Sequence, residues 1–313
     1  MFSYNYMKKT NELYVSLPNK LEFNYDFHED MNEFIARCDT DEVQIILVSS
    51  EKNVEYDNLC KAYFINVLLK IDEYKKVLWN KNLSEMINST VKSREGRKFS
   101  YIDIDAVLSE NKSYFYIFKG DKDVYKPVHE LAKLITEQNL VLESENVIEF
   151  LSTIIGEIFS NCINHSDQDM LYLMYDIVYN DGDFYLVVNV TDYGKTIVYN
   201  VNNYQRSIGN KQMTNIECIE WAIQYGNTTR IGSGGYGLPS LIQYIKEANG
   251  ELYILSGSGN YFVKGKYEKI EQSKGFFKGT SVTFKIKLYD TSRIIKYNEN
   301  SNKVSAVMSL DDI

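Results

Sequence analysis

The sequence predicts an α+β protein made of two units, and three observations carry that prediction. Residues 1–122 alternate strand-like and helix-like stretches, the rhythm of a small α/β domain. Residues 123–296 run a long helix into two strands, then further helices, then two closing strands. That order makes a sandwich with helices on one face of a mixed, largely antiparallel sheet. A length of 313 residues is enough for two cores.

In the first unit, "ELYVSLP" reads as a strand and "DFHEDMNEFIARC" as an amphipathic helix. The apolar run "VQIILVSS" (43–50) has the character of a buried strand. "YDNLCKAYFINVLLKIDEYKKVLW" repeats apolar residues at helical spacing, and the polar stretch 88–98 reads as loop. "SYFYIFKG" (113–120) is a strand closed by glycine, and past the boundary "DVYKPVHELAKLITEQN" is a helix or helix pair leading into the next unit.

In the second unit a helix is expected from about Glu145 to Asn164, followed by strands "MLYLMYDIVYN" and "DFYLVVNVTD" with a hairpin at Asp181–Gly182. An irregular polar stretch spans Tyr193 to about Thr214. A short helix, "IECIEWAIQYG", comes next, then a glycine cluster (232–237) and the helix "LPSLIQYIKEAN", ended by Gly250. Strands "ELYILSG" and "TSVTFKIKL" close the unit, and residues 297–313 form a polar tail.

Composition narrows the functional classes. A net charge of −9, with no basic window rich in aromatics, disfavours nucleic acid as a partner. Four scattered cysteines (Cys38, Cys60, Cys162 and Cys218) and three histidines make a zinc site a poor reading, and buried thiols of a reducing compartment a better one. No run approaches the roughly 18 apolar residues of a membrane span. "MFSYNYMKKTNELY" lacks the apolar core of a signal peptide, so a soluble cytoplasmic protein is expected.

Within "GEIFSNCINHS", Glu157, Asn161 and His165 recur every four residues and fall on one stripe of a helix. Leu151, Ile155, Ile158, Phe159 and Cys162 fall on the other side, toward a core. A carboxylate in that stripe can take a proton from water or a hydroxyl, and an asparagine oxygen is a hard ligand for Mg²⁺. Taken alone, the stripe reads better as the polar face of a half-exposed helix.

Three further elements follow it. "VNVTDYG" ends a strand at Asp192, where a carboxylate can accept a hydrogen bond from an exocyclic amine and Gly194 lets a ring approach the backbone; for this pair alone an ordinary strand-ending turn is the better reading. In "TTRIGSGGYGLPSL", Gly232, Gly234, Gly235 and Gly237 lead into a helix at Leu238, an arrangement able to turn N–H groups and a helix N-terminus toward phosphate. Arg230 stands just ahead of them, and reads either as a group that reaches a terminal phosphate or as a solvated surface arginine. Thr280 opens the last strand, where its hydroxyl can face a base.

In that order these elements resemble the GHKL superfamily, the ATP-binding fold of gyrase, heat-shock chaperones, histidine kinases and MutL, over roughly residues 140–290. "EIFSNCINHS" is similar to the N box in the form found in anti-sigma-factor kinases. The resemblance implies Glu157 as the base, Asn161 as the Mg²⁺ ligand and His165 near the phosphates. It makes Asp192 the adenine reader in the first glycine box, "GSGGYGLPSL" the second glycine box at the hinge of a lid, and Thr280 a support for adenine through water. Lys195 and Thr196 stand where that first box usually has its second glycine.

His129 in "VHELAK" lies too close to the N box to serve as the phosphoacceptor of a histidine-kinase hairpin, and reads as a surface residue. The amino-terminal unit resembles a STAS domain. Ser49 and Ser50 at a strand end, and Asn58 beyond them, stand near that family's phosphorylatable position. The implied cofactors are ATP and Mg²⁺. The implied functions are an ATPase whose lid couples nucleotide state to a protein partner, a serine/threonine kinase of the anti-sigma type, or a nucleotide-binding module without turnover. A homodimer is among the expected assemblies, and a membrane is not among the partners.

Overall fold

The computed structural model describes residues 1–22, 24–52, 54–90, 113–119, 131, 144–168, 170–180, 183–229 and 234–288. Two sheets organise them. The smaller has four strands in the order β1 (Ser3–Met7), β2 (Glu12–Ser16), β4 (Ile45–Ser49) and β6 (Lys76–Trp79). β1 is antiparallel to β2, while β2, β4 and β6 are mutually parallel. Helices α1 (Tyr25–Cys38) and α2 (Asn58–Asp72) make the crossovers, and both lie on the same face of this sheet. A short pair, β3 (Lys20–Leu21) with β5 (Glu55–Tyr56), ties the loops together.

α1 starts where the Asn24 side chain accepts the Phe27 N–H at 3.0 Å, with Asp26 in its first turn and Arg37 in its last. The apolar run expected to be helical as far as Trp79 breaks after Asp72. Its last residues form β6, anchored by the Val77 N–H on the Asp72 carboxylate at 3.0 Å. Helix α3 (Lys81–Thr90), which the sequence pattern does not announce, follows at once, with the Asn80 side chain accepting the Leu83 N–H.

The larger sheet has five strands in the order β10 (Glu251–Lys264), β11 (Tyr267–Lys287), β9 (Asp183–Asp192), β8 (Met170–Asn180) and β7 (Ser113–Lys119). All its pairings are antiparallel, so the mixed sheet of the molecule is the small one. β7 hydrogen-bonds to β8, so the chain enters the second sheet ahead of residue 122, and the expected boundary there falls one strand late. The central residues of the Asp181–Gly182 hairpin, His129 and the 297–313 tail lie outside the described residues.

On one face of this sheet pack α4 (Ser144–Ser166), α6 (Asn215–Ala222) and α7 (Gly237–Glu247), around a core that includes Ile155, Phe159, Leu173, Val188, Tyr244 and Phe284. α5 (Ile197–Ser207) occupies the stretch read as irregular, capped by Thr196, whose hydroxyl accepts the Tyr199 N–H at 3.0 Å. α6 opens with a reciprocal capping box between Thr214 and Glu217. α7 closes with the Gly250 N–H on the Ile245 carbonyl at 2.8 Å, and Asn249 (φ 54°), not Gly250, takes the left-handed position.

The other face of the sheet is covered as well, which corrects the expectation of helices on one face only. α1 packs on β11 and α2 on β8. A single core runs from Val15 and Ile46 of the small sheet through Phe27, Met31 and Phe64 to Tyr172, Met174 and Phe277. The molecule is thus a stack of four layers: small sheet, α1/α2, large sheet, and α4/α6/α7.

Polar residues of the large sheet are buried in this stack and satisfy one another. Asn189 donates to Ser281 Oγ at 2.9 Å and to Thr283 Oγ1 at 2.7 Å, and accepts from the Thr191 hydroxyl at 2.9 Å. His28, 7% exposed, is stacked on Tyr253 at 4.2 Å between ring centroids and meets the Tyr63 ring edge-on at 5.9 Å.

Burial alone lowers the His28 pKa from 6.5 to about 3. The neutral form stabilises the fold fully above pH 6.5, and that stability is lost as pH falls toward the folded-state value. Between pH 7 and about pH 4.5 the loss from this group is about 2–3 kcal/mol. His28→Gln is expected to regain that amount relative to wild type over the same interval, measured by urea unfolding at both pH values. Parallel pH dependences of the two proteins would refute the assignment.

Candidate functional site

The site is built around the carboxy-terminal half of α4. Its buried side carries Leu151, Ile155, Ile158, Phe159 and Cys162, and the half-buried Glu157, Asn161 and His165 project from the other. At 1.5 Å per residue these three span about 12 Å of helix. The chain then turns through Asp167 (φ 57°) into β8.

Asp192 ends β9 opposite Thr280 of β11 on one side and Leu171 of β8 on the other. It is 2% exposed, and its carboxylate accepts the Gly194 N–H at 2.9 Å, the Thr280 N–H and the Cys162 thiol. Burial outweighs these three bonds and raises its pKa from 3.8 to about 6. The Cys162 thiol is held well above its ordinary range, first by burial and then by the adjacent carboxylate.

The strand end is pinned to the helix end. The Lys195 N–H donates to the Ser166 carbonyl at 2.7 Å, and a β-carbon on Gly194 would lie 2.0 Å from that same oxygen. No side chain fits at position 194, so the glycine is fixed by this close approach. Where the resemblance expects a second glycine, Lys195 reaches Asp167 at 2.8 Å and Thr196 caps α5.

Thr280 is held by Ser256. The two hydroxyls are 2.8 Å apart, and Ser256 Oγ also donates to the Gly279 carbonyl at 3.0 Å and accepts the Ile197 N–H at 2.8 Å. One serine on β10 therefore ties the last strand to the start of α5. At the far end of α4, His165 Nδ1 lies 3.4 Å from Thr229 Oγ1, and the His165 carbonyl accepts the Asn200 amide at 2.9 Å.

The glycine run enters α7 directly against Glu157. A β-carbon on Gly237 would stand 2.4 Å from Glu157 Oε2 and 2.9 Å from Glu157 Cβ, so only glycine admits this contact. The carboxylate thus rests at the first residue of α7, where the helix field favours negative charge. Gly234 lies against Thr228, and the Gly235 carbonyl accepts the Gly226 N–H at 3.0 Å. Leu238 packs on the core, while Arg230 and Gly232 lie outside the described residues.

The structure therefore brings Glu157 to Gly237, and Asp192 to Gly194 and Thr280, along the same helix. Cys162, Ser256 and Thr229 join the site without having been expected there. Cys162 reads as one more apolar position of the core stripe, and nothing in the sequence links it to an aspartate thirty residues on.

Among the described residues no cluster of three or more His, Cys, Asp or Glu side chains is placed to hold a metal ion. A cation here would take Asn161 as its protein ligand and draw its other oxygens from phosphate and water, a donor set that suits Mg²⁺. The four cysteines are free thiols, all buried. No helix among the described residues is long and apolar enough to cross a membrane. In the amino-terminal unit, Ser49 lies 3.3 Å from Ser16 Oγ, and Ser50 is buried with its carbonyl accepting the Asn80 and Asn82 amides. No protein-family profile matches this chain, and no curated protein matches it either.

Proposed function

We propose that this protein binds ATP with Mg²⁺ between α4 and the glycine run that opens α7, and hydrolyses it to signal nucleotide state to a protein partner. The observation that carries the reading is Asp192. A buried carboxylate with a raised pKa, held at a strand end by Gly194 and Thr280, is a costly arrangement for a fold to keep without a ligand that rewards it. An exocyclic amine is such a ligand, because it donates to the charged form.

The remaining chemistry is divided along α4. Asn161 supplies a neutral oxygen for the cation, which when bound draws the phosphates together and neutralises their charge. Glu157, in register with Asn161 one turn earlier, is the group that accepts a proton from the attacking oxygen. Glu157 already rests at the first residue of α7, so the phosphates would be held by the cation, His165 and the glycine backbone ahead of that helix.

Incubation with γ-labelled ATP tests the proposal and sorts its variants. Free labelled phosphate is the expected product. Label on a protein hydroxyl would instead assign the chemistry to a serine/threonine kinase that uses the same Glu157. Retained nucleotide with no release would make the protein a binding module. Absence of nucleotide binding in calorimetry would overturn the reading altogether.

A further inference from the structure

The small sheet closes the four-layer stack at one end, and alternation gives it two unlike faces. Leu13, Val15, Ile46, Val48 and Val77 point inward to α1 and α2. The outward face carries Tyr14, Ile45, Leu47 and Leu78. Tyr14 is 40% and Leu78 45% exposed, large apolar groups for a surface, while Ile45 and Leu47 between them are half-buried.

Register places these residues in two rows. Tyr14 of β2, Leu47 of β4 and Leu78 of β6 form one; Glu12, Ile45 and Lys76 form the next. Ile45 is therefore flanked by an acid on one side and a base on the other, each one strand away. Lys76 forms no ion pair among the described residues. Glu12 accepts hydroxyl bonds from Thr10 and Tyr14 but meets no cation there.

We propose that this face binds a second copy of the same chain, sheet against sheet, about a twofold axis running along β4. Such an axis keeps each residue's position along the strand and exchanges the two sides of the sheet. Glu12 of either copy then lies over Lys76 of the other, Tyr14 lies over Leu78, and Ile45 and Leu47 meet their own symmetry mates. Aligned sheets pack about 10 Å apart and cross at about 30°, so each β4 inclines by only about 15° to the axis. Over two residues that tilt leaves the rows opposed.

Self-recognition is what the charge pattern fits. A twofold contact requires a patch complementary to its own image, and an acid and a base at equal distances from β4 in one row provide that. Among the described residues Lys76 lies on the edge strand β6, where a lysine also discourages edge-to-edge pairing, so association is directed to the face. With three strands in contact the interface belongs at the small end of specific interfaces, and the proposal is for a weak dimer with a dissociation constant of order micromolar. The proposal does not depend on nucleotide binding.

Sedimentation velocity on the full chain, from about 1 to 100 μM, tests it. Wild type is expected to pass from monomer to dimer across that range. Glu12→Lys and Lys76→Glu, each placing like charges opposite one another, should weaken dimerisation about tenfold or more, and the double exchange should restore it. Leu47→Asp should give monomer, and Leu78→Ser, on the outward face, should weaken the dimer without touching the core. Circular dichroism and thermal unfolding confirm the fold of each variant. A wild-type protein that stays monomeric throughout overturns the proposal. So does a dimer indifferent to Leu78→Ser, or a double exchange no better than its single parents.

Discussion

Asp192→Asn is expected to give a protein more stable than wild type at pH 7 that binds adenine nucleotides about 10- to 100-fold more weakly, the range set by one charge-assisted hydrogen bond. Both effects come from the same burial. The folded-state pKa of Asp192 is raised from 3.8 to about 6. A carboxyl raised in this way contributes stability that is complete below pH 3.8 and is lost as pH rises through 6. Above that, the charged group costs the ligand-free protein about 3 kcal/mol relative to its neutral form.

Asparagine keeps an acceptor for the Gly194 and Thr280 N–H groups and carries no charge. It should recover about 1–3 kcal/mol, seen as a rise of several degrees in Tm at pH 7 and none at about pH 4. Wild-type nucleotide affinity should fall as pH drops below about 6, because the protonated carboxyl no longer accepts from an amine, and Asp192→Asn should show no such step. Calorimetry at two pH values checks both points. Unchanged affinity in the variant would place the base elsewhere.

The second large effect separates two neighbours on α4. Glu157→Ala is expected to lower ATP turnover by about 100-fold or more while nucleotide still binds, because it removes a proton acceptor and leaves the cation ligand. Asn161→Ala should weaken Mg-ATP binding itself, and the loss should shrink when binding is measured without Mg²⁺. Single-turnover release of labelled phosphate, set beside equilibrium binding, distinguishes the two. Equal turnover in wild type and Glu157→Ala would remove the proposed base.

Much of this site is legible in sequence because its residues sit on regular elements. The period of α4 puts Glu157, Asn161 and His165 on one stripe, and Asp192 ends an apolar strand that can only be buried. What stays hidden arises from burial of polar groups. Asn189, Thr191, Ser281 and Thr283 alternate with apolar residues and read as the wet side of a half-exposed sheet. They are buried because they satisfy one another, so α1 and α2 can cover them at little expense in lost hydrogen bonds. For the same reason the second face of the sheet was expected to be open.

Other misreadings have local causes. In 197–207 only Val201 and Gln205 are buried, so the apolar side of α5 is short and set among asparagines, and the helix starts at the Thr196 cap. The break between α2 and β6 is masked because apolar residues continue through both elements without a glycine or proline. Gly250 sits one residue past the left-handed position, which Asn249 adopts in its place.

Two adjacent residues join the front of the large sheet to its back. Asp192 turns toward Cys162, whereas Tyr193 turns the other way, into a cluster with Tyr172 and Phe277 beneath the Lys70 ammonium. Across the ladder Thr280 and Ser281 divide in the same manner. One strand end thus presents a carboxylate to α4 and a phenol to α2, so a single dipeptide is in contact with the helix layers on both sides of the large sheet.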